Sequence, residues 1–376
     1  MIYLVSGAGG PNFGDDLILA LWIRYYRERG YTGPILVDFL NNASSIKLHS
    51  EDKNVYFSGF LKSMTKGREG DFSHYINVGK SKISENLDGF SESIKQALGV
   101  PRFSLDQINF IHVLGGGYIN GVWENSFSLL GAVSQLKKIS GVKIFATGLG
   151  LSPLKPSSDS DFASINKIVR SFDFFEIRDI DSYNQISGFM GFSENVIYGL
   201  DDNFLYPIKS LVRRKRSKSL HISGFSKTFQ FASDGEIISF LKNSSKEYDR
   251  ILFWLCNKSD VEIANKMQSL FPGLKKLTNN MLVNVGIPFG PEDAMLTARF
   301  HPHFMAARAG VGGQYIANSQ FYKSKHMSIL DLGSGFEKFN SFDSFSKSRR
   351  GHLVDRDAAL VRRKRLIADH IFTHIK

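Results

Sequence analysis

The chain has 376 residues and a single cysteine, Cys256. One thiol can neither close an internal disulfide nor supply a multi-cysteine zinc site, so no covalent or zinc staple is expected. Long apolar runs are also missing: none approaches the roughly 18–20 residues needed to cross a bilayer. The opening residues, MIYLVSGAGG, place four apolar residues after Met1 and then turn to Ser6 and glycines. That is neither the basic start nor the apolar core of a signal peptide, and a soluble cytoplasmic protein is expected. No repeat with a period of about 20–50 residues is visible.

What is present is ample apolar material. Hydrophobic residues make up 42% of the chain, with 32 Phe and 13 Tyr, which supports a folded protein rather than a disordered one. Single cores stop growing near roughly 250–300 residues, so two domains are expected. The formal charge is +11, from 47 Lys+Arg against 36 Asp+Glu, and the excess gathers in RRKR (213–216), RR (349–350) and RRKR (362–365). Such runs serve as solvated faces, or they attract polyanions and anionic lipid surfaces. They lack the interleaved aromatics of a nucleic-acid groove, so no nucleic acid is expected. Peripheral contact with the inner face of an anionic membrane suits them better.

Short β-branched or aromatic runs alternate with helix-length segments. IYLVS (2–6), ILVDF (35–39), YINVG (75–79), FIHVLGGG (110–117), KIFATGLG (143–150), FFEIRD (174–179) and NVIYG (195–199) read as strands. After a basic connection the pattern resumes with LHISGF (220–225), RILFWLC (250–256), QYIAN (314–318) and MSIL (327–330). Strands separated by helices form parallel βαβ units. DDLILALWIRYYRERG (15–30) is a clear helix, with acids at its start, arginines near its end and Gly30 to stop it. The expected class is α/β, with two Rossmann-like doubly wound domains facing a cleft. The first spans 1–208 and the second 218–345; a C-terminal helical segment, 346–376, packs back on the first. Ligands of such sheets bind at the carboxyl ends of the strands.

Three glycine turns fall at such strand ends: SGAGGPNFGDD (6–16), LGGGY (114–118) and TGLGLSP (147–153). The first is a poor nucleotide fingerprint, because Asn12 stands where the third glycine of a dinucleotide motif belongs and no Gly-Lys-Ser/Thr follows. Asp15 and Asp16 would repel phosphate at the helix start. That loop, with Asn12 and Gly14, therefore suits a hydroxyl-rich ligand, or holds a carboxylate as base; the plain alternative is a tight turn with an aspartate cap. Gly116, Gly117 and Tyr118 in the second turn expose backbone amides to the same ligand.

ARFHPHFMAARAG (298–310) concentrates positive charge. If AMLTARF (294–300) ends a strand and PHFMAARAG (302–310) is a helix, Pro302 takes the first helical position and His301 lies near the cap. Arg299, a chargeable His301 and the helix amides then meet at one point, which makes an anion site. His303 needs no role beyond facing solvent. Arg178, at the end of FFEIRDIDS (174–182), is a second candidate, and a structural pair with a neighbouring aspartate is the competing reading.

Taken in order, GAGGPNFGDDLIL, LGGGY, TGLGLSP, EIRDIDS and ARFHPHFMAARAG resemble the polysaccharide pyruvyl transferase family over about residues 3–318. The resemblance implies a fold similar to the B-type glycosyltransferases, phosphoenolpyruvate as donor, and as acceptor a sugar diol of a cell-surface polysaccharide or its lipid-linked precursor. The product would be a pyruvate ketal. The family's Ser/Ala-Arg-Leu-His motif falls on Ala298, Arg299, Phe300 and His301, and its Arg-Asp-x-x-Ser motif on Arg178, Asp179 and Ser182. With the motifs so placed, Arg178, Arg299, Phe300 and His301 are expected to bind phosphoenolpyruvate; independently of the resemblance, protonating the enol carbon is a general-acid task that suits His301, and Asp15 or Asp16 would orient a sugar hydroxyl or accept its proton. Phe300 replaces the commoner leucine, which alters pocket shape. No cofactor and no metal is expected, because neither proton transfer nor phosphate departure demands one. The rivals are a nucleotide-sugar glycosyltransferase of the same fold and a non-catalytic module that binds acidic glycans.

Overall fold

A computed structural model describes residues 1–39, 43–65, 70–191, 193–213 and 218–375. Of the basic run 213–216, only Arg213 lies within the described residues. The chain forms two compact units. One comprises Met1–Gly10, Ile18–Leu205 and Arg363–Lys376, the other Pro11–Leu17 and Tyr206–Arg362.

The first unit holds β1 (Ile2–Val5), β2 (Ile35–Asp38), β3 (Val55–Ser58), β4 (Phe110–Val113), β5 (Lys143–Leu149), β6 (Phe174–Ile177) and β7 (Val196–Tyr198). They pair in the order β3-β2-β1-β4-β5-β6-β7, all parallel. Every residue of β1, β2 and β4 is buried. Strands covered on both faces read as unbroken apolar runs, which is why these three stand out in the sequence. The second unit holds β8 (Ser219–Ser223), β9 (Arg250–Leu255), β10 (Lys275–Thr278), β11 (Ala294–Thr297), β12 (Gly312–Tyr315) and β13 (Glu337–Lys338). Their order is β10-β9-β8-β11-β12-β13, again all parallel. Each unit is therefore a doubly wound, Rossmann-like sheet. Strand order reverses once in each, between β1 and β4 and between β8 and β11, and a crevice opens at the carboxyl ends there.

Two expected strands are helical. YINVG (75–79) lies inside the helix Phe72–Glu85, whose buried residues Phe72, Tyr75, Ile76, Gly79 and Ile83 recur at three- and four-residue spacing. Gly79 packs directly on the backbone carbonyl of Ser128 in the helix Phe127–Ser140, where a Cβ would overlap it. A close helix crossing thus selected the β-branched and small residues that imitate a strand. MSIL (327–330) lies in the helix Gln320–Asp331, started by the Ser319 hydroxyl accepting from the Tyr322 amide. Conversely, β3, β10 and β13 are edge or near-edge strands too polar or short to show in the apolar pattern.

The helix Leu353–Phe372 brings a buried cation, Lys364, into the first unit. Lys364, fully buried, pairs with Glu176 and with Asp202 at 2.5 Å, and donates to the Leu200 carbonyl at 3.0 Å. Glu176 in turn accepts from the Gly148 amide (3.1 Å) and the Leu200 amide (2.8 Å). Asp202 accepts from the Gly115 amide (2.8 Å) and the Thr147 hydroxyl (2.9 Å). Burial pushes the Glu176 carboxyl up and Lys364 opposes it; for Lys364 the two carboxylates outweigh burial, so the ammonium stays charged. Lys364→Met should lower the unfolding free energy by about 3–5 kcal/mol, because it leaves two buried carboxylates without their cation. Urea denaturation read by far-UV circular dichroism checks this; a change under about 1 kcal/mol would contradict it.

Candidate active site

The crevice of the second unit is built from the ends of β8, β9 and β11 together with the segment Pro11–Leu17. After β11, Thr297 links the strand to the turn: its hydroxyl lies 2.6 Å from that of Ser223 and accepts from the Arg299 amide at 2.9 Å. Arg299 occupies the position before the first residue of the helix Phe300–Arg308, and its side chain makes no bond to the helix amides. The helix begins two residues earlier than the proline suggested, so His301 is its second residue and Pro302 its third. Proline is tolerated there because first-turn amides have no partner within the helix. The helix ends as expected, with Gly310 in the left-handed region (φ 76°) and its amide on the Ala307 carbonyl.

The Arg299 guanidinium is fixed from several sides. It pairs with the wholly buried Asp260, donates to the Ser259 hydroxyl at 2.8 Å, and stacks 4.8 Å from the Phe225 ring centroid. Its Nε is buried and makes no hydrogen bond within the described residues. Burial pushes the Asp260 carboxyl up, while Arg299 pulls it back. Arg299 is thus held rigidly, with part of its charge already offset.

His301 is 9% exposed and meets Phe300 edge-on at 4.9 Å. Its ring lies against Gly14, where a Cβ would fall on the imidazole atoms. The loop carrying Gly14 is tied down by main-chain bonds: the Phe13 amide donates to the Cys256 carbonyl at 2.9 Å, and Asn12 bridges Asn257. Asp16 accepts from the Asn12 amide and from Asn279 Nδ2, both at 3.1 Å, so Asp16 does the capping that the plain reading assigned to one acid. Asp15 accepts from Asn12 Nδ2 at 2.6 Å. Both carboxylates are buried. The structure therefore brings Asn12, Gly14, Asp15, Asp16, Arg299, Phe300 and His301 into one unit.

His303 does not face solvent. It is buried against His326 (2.9 Å) and Ser334 (2.8 Å), and burial lowers its basicity, which makes it a neutral core residue. Missed by sequence reasoning were Asp260, Asn257 and Asn279. The capping pattern Asn257-x-x-Asp260 at the end of β9 was a legible signal for the first two.

In the first unit, Arg178 pairs with Asp201, not with Asp179 or Asp181, and its side chain is only 7% exposed. Asp179 caps the helix Ile180–Met190, accepting from the Ser182 amide (2.8 Å), and also accepts from the Leu151 amide (3.0 Å). The glycine turns correct another expectation. The Gly115 and Gly116 amides are not open to a ligand: one donates to Asp202 and the other to the Gly148 carbonyl at 3.3 Å. Tyr118 anchors its turn from below, its hydroxyl donating to the Leu114 carbonyl at 2.9 Å, with Lys62 Nζ 4.3 Å above its ring.

The family model for polysaccharide pyruvyl transferases matches residues 12–279. The chain belongs to that family. The match takes in Asn12–Asp16, the Gly115–Gly117 turn and Arg178, and ends before Arg299. Among solved structures, a UDP-GlcNAc 2-epimerase from Neisseria meningitidis bound to UDP-GlcNAc is similar at 10% identity and a TM-score of 0.54, covering 99% of this chain and 100% of that one. A putative UDP-N-acetylglucosamine 2-epimerase from Listeria monocytogenes is similar at 8% identity and a TM-score of 0.52, covering 96% and 88%. At such identities they establish the fold class alone, that of the B-type glycosyltransferases. No curated protein matches the chain significantly. Among the described residues no helix is long and apolar enough to cross a membrane.

Gly14→Ala should displace the His301 ring. An added methyl in a packed contact costs about 1–3 kcal/mol, which outweighs the gain of at most about 1 kcal/mol from replacing glycine in a helix. Histidine-selective NMR should show the His301 resonances moved; unchanged resonances would contradict the packing described.

Proposed function

We propose that this member of the pyruvyl transferase family moves the enolpyruvyl group of phosphoenolpyruvate onto two hydroxyls of a sugar, forming a pyruvate ketal and releasing phosphate. The observation that carries the reading is the seating of the Asn12–Asp16 loop on His301, beside Arg299, at the strand reversal of one unit. It supplies an acid, a carboxylate and an anion-binding helix end together.

In this reading Arg299 and the first turn of the helix Phe300–Arg308 hold the donor's anionic groups. His301 gives a proton to the methylene carbon, which becomes the methyl group, while a sugar hydroxyl adds to the neighbouring carbon. Asp15 takes or orients that hydroxyl's proton; Asp16, engaged by Asn12 and Asn279, holds the loop. Phosphate then leaves with its bonding electron pair and takes up the proton held by Asp15, while the second hydroxyl attacks the same carbon and gives its proton to the now neutral His301, which closes the ketal and restores both groups. None of these steps calls for a metal or an organic cofactor. Both arginines pair with a buried carboxylate, but Arg178 is closed in against Gly150 whereas Arg299 is the more exposed of the two and keeps a buried Nε without a hydrogen bond among the described residues, so the donor is assigned to Arg299. A lipid-linked acceptor at an anionic membrane fits the exposed Arg349, Arg350, Arg362 and Arg363; Lys364, between them and Arg365, is buried and takes no part in it. The shared fold alone would also suit a nucleotide-sugar enzyme, and the family match favours pyruvyl transfer.

Phosphate release from phosphoenolpyruvate, measured with a panel of galactosides, glucosides and mannosides, tests the reaction. His301→Gln should slow it about 10²–10⁴-fold, as loss of a general acid does; a loss under about tenfold would remove His301 from that role. Asp15→Asn should reduce turnover more than Asp16→Asn relative to the loss of stability, and the reverse order would exchange their roles.

A further inference from the structure

The carboxyl end of β12 leads through Asn318 and Ser319 into the helix Gln320–Asp331, whose third residue is Tyr322. Its place is fixed on both sides. The Ser319 hydroxyl accepts from the Tyr322 amide, and Asn318 Nδ2 donates to the Lys227 carbonyl at 3.1 Å, which ties this strand end to the loop after β8. That loop carries Phe225, whose ring centroid lies 5.5 Å from the Tyr322 centroid and 4.8 Å from the Arg299 guanidinium carbon. One phenylalanine thus supports both side chains, Arg299 from the end of β11 and Tyr322 from the end of β12.

Both keep unused hydrogen-bonding capacity. Of the three Arg299 nitrogens, only Nη2 has partners among the described residues, Ser259 and Asp260. The Tyr322 hydroxyl bonds none of the described residues, although the residue is partly withdrawn from water. Burial pushes the phenol up, Arg299 pulls it back and Asp260 adds to the rise. The O–H therefore stays protonated at neutral pH, and the two charges that act on it are those of the arginine and its paired carboxylate.

We infer that Tyr322 is a further phosphoenolpyruvate-binding residue: its hydroxyl donates to a phosphate oxygen that the Arg299 guanidinium leaves open. A carboxylate has two oxygens, and a guanidinium fork fills both. A phosphate group offers a third acceptor oxygen. A neutral O–H meets that oxygen without adding positive charge, so it does not tighten the hold on the inorganic phosphate that must later depart. The charged neighbours agree in sign with an anionic ligand. Lys227 and Lys323 are exposed on the two adjoining segments, and Lys325 lies 3.9 Å from the Phe321 ring centroid. The nearby carboxylates are already engaged, Asp260 by Arg299 and Glu262 by the Ser226 hydroxyl at 2.8 Å. The inference rests on the proposed function for the identity of its ligand.

Calorimetric titration of the full chain with phosphoenolpyruvate, and separately with inorganic phosphate, tests it. Tyr322→Phe deletes one oxygen and keeps the ring on Phe225, so its unliganded melting temperature should match the parent's. Both ligands should bind it about tenfold or more weakly, as loss of a hydrogen bond to a charged group does. Equal binding of both ligands by Tyr322→Phe would overturn the contact, and continued phosphate release from phosphoenolpyruvate would leave the transferase reading standing. Weakening for phosphoenolpyruvate alone would put the hydroxyl on the carboxylate and also overturn the contact. A parent chain that binds phosphate and not phosphoenolpyruvate would remove the transferase reading, and the weakening for phosphate would then decide the contact by itself. Binding of neither ligand overturns both.

Discussion

The contact between the His301 imidazole and Gly14 organises the second unit's crevice. Only a residue without a Cβ lets the ring lie where it does, and only a loop anchored on Cys256 and Asn257 keeps Gly14 there. Asp15 and Asp16 follow Gly14 directly, so their position relative to the β8–β11 reversal is set by the same contact. A residue distant in sequence, near the N-terminus, thereby becomes part of a site whose other members lie around 257–301.

Charge is handled the same way in both units. Each strand-end arginine has a buried carboxylate: Asp260 for Arg299 and Asp201 for Arg178. Desolvated ions are tolerable only when paired and hydrogen-bonded, and pairing fixes the guanidinium in one orientation. The difference between the two lies in surroundings. Arg299 stands just before a helix, rests on Phe225 and keeps a buried Nε without a hydrogen bond among the described residues, whereas Arg178 is closed in against Gly150. Behind the first unit's glycine turns, Lys364, Glu176 and Asp202 make a second buried set, which uses the Gly115 and Gly148 amides as structural donors.

Much of this was legible in the sequence. Buried parallel strands read as apolar runs, so β1, β2 and β4 stood out, and glycine turns marked the ends of β1, β4 and β5. The helix Phe13–Glu28 was plain from its acids and arginines. YINVG misled because helix–helix packing around Gly79 selects the residues that strands also favour, and MSIL because four apolar residues have no period. The pairing of Gly14 with His301 had no signal, since it joins residues 287 positions apart by shape alone. Asp201 and Asp260 could not be matched to their arginines from spacing, because a helix and at least one strand lie between the members of each pair.

The account turns on phosphoenolpyruvate being held beside His301. Histidine-selective ¹⁵N labelling, with the His301 resonances assigned by their loss in His301→Gln, measures this directly during titration with phosphoenolpyruvate and, separately, with a nucleotide sugar. The account predicts that phosphoenolpyruvate shifts the His301 resonances and the nucleotide sugar leaves them in place. Shifts produced by the nucleotide sugar, with none from phosphoenolpyruvate, would contradict it.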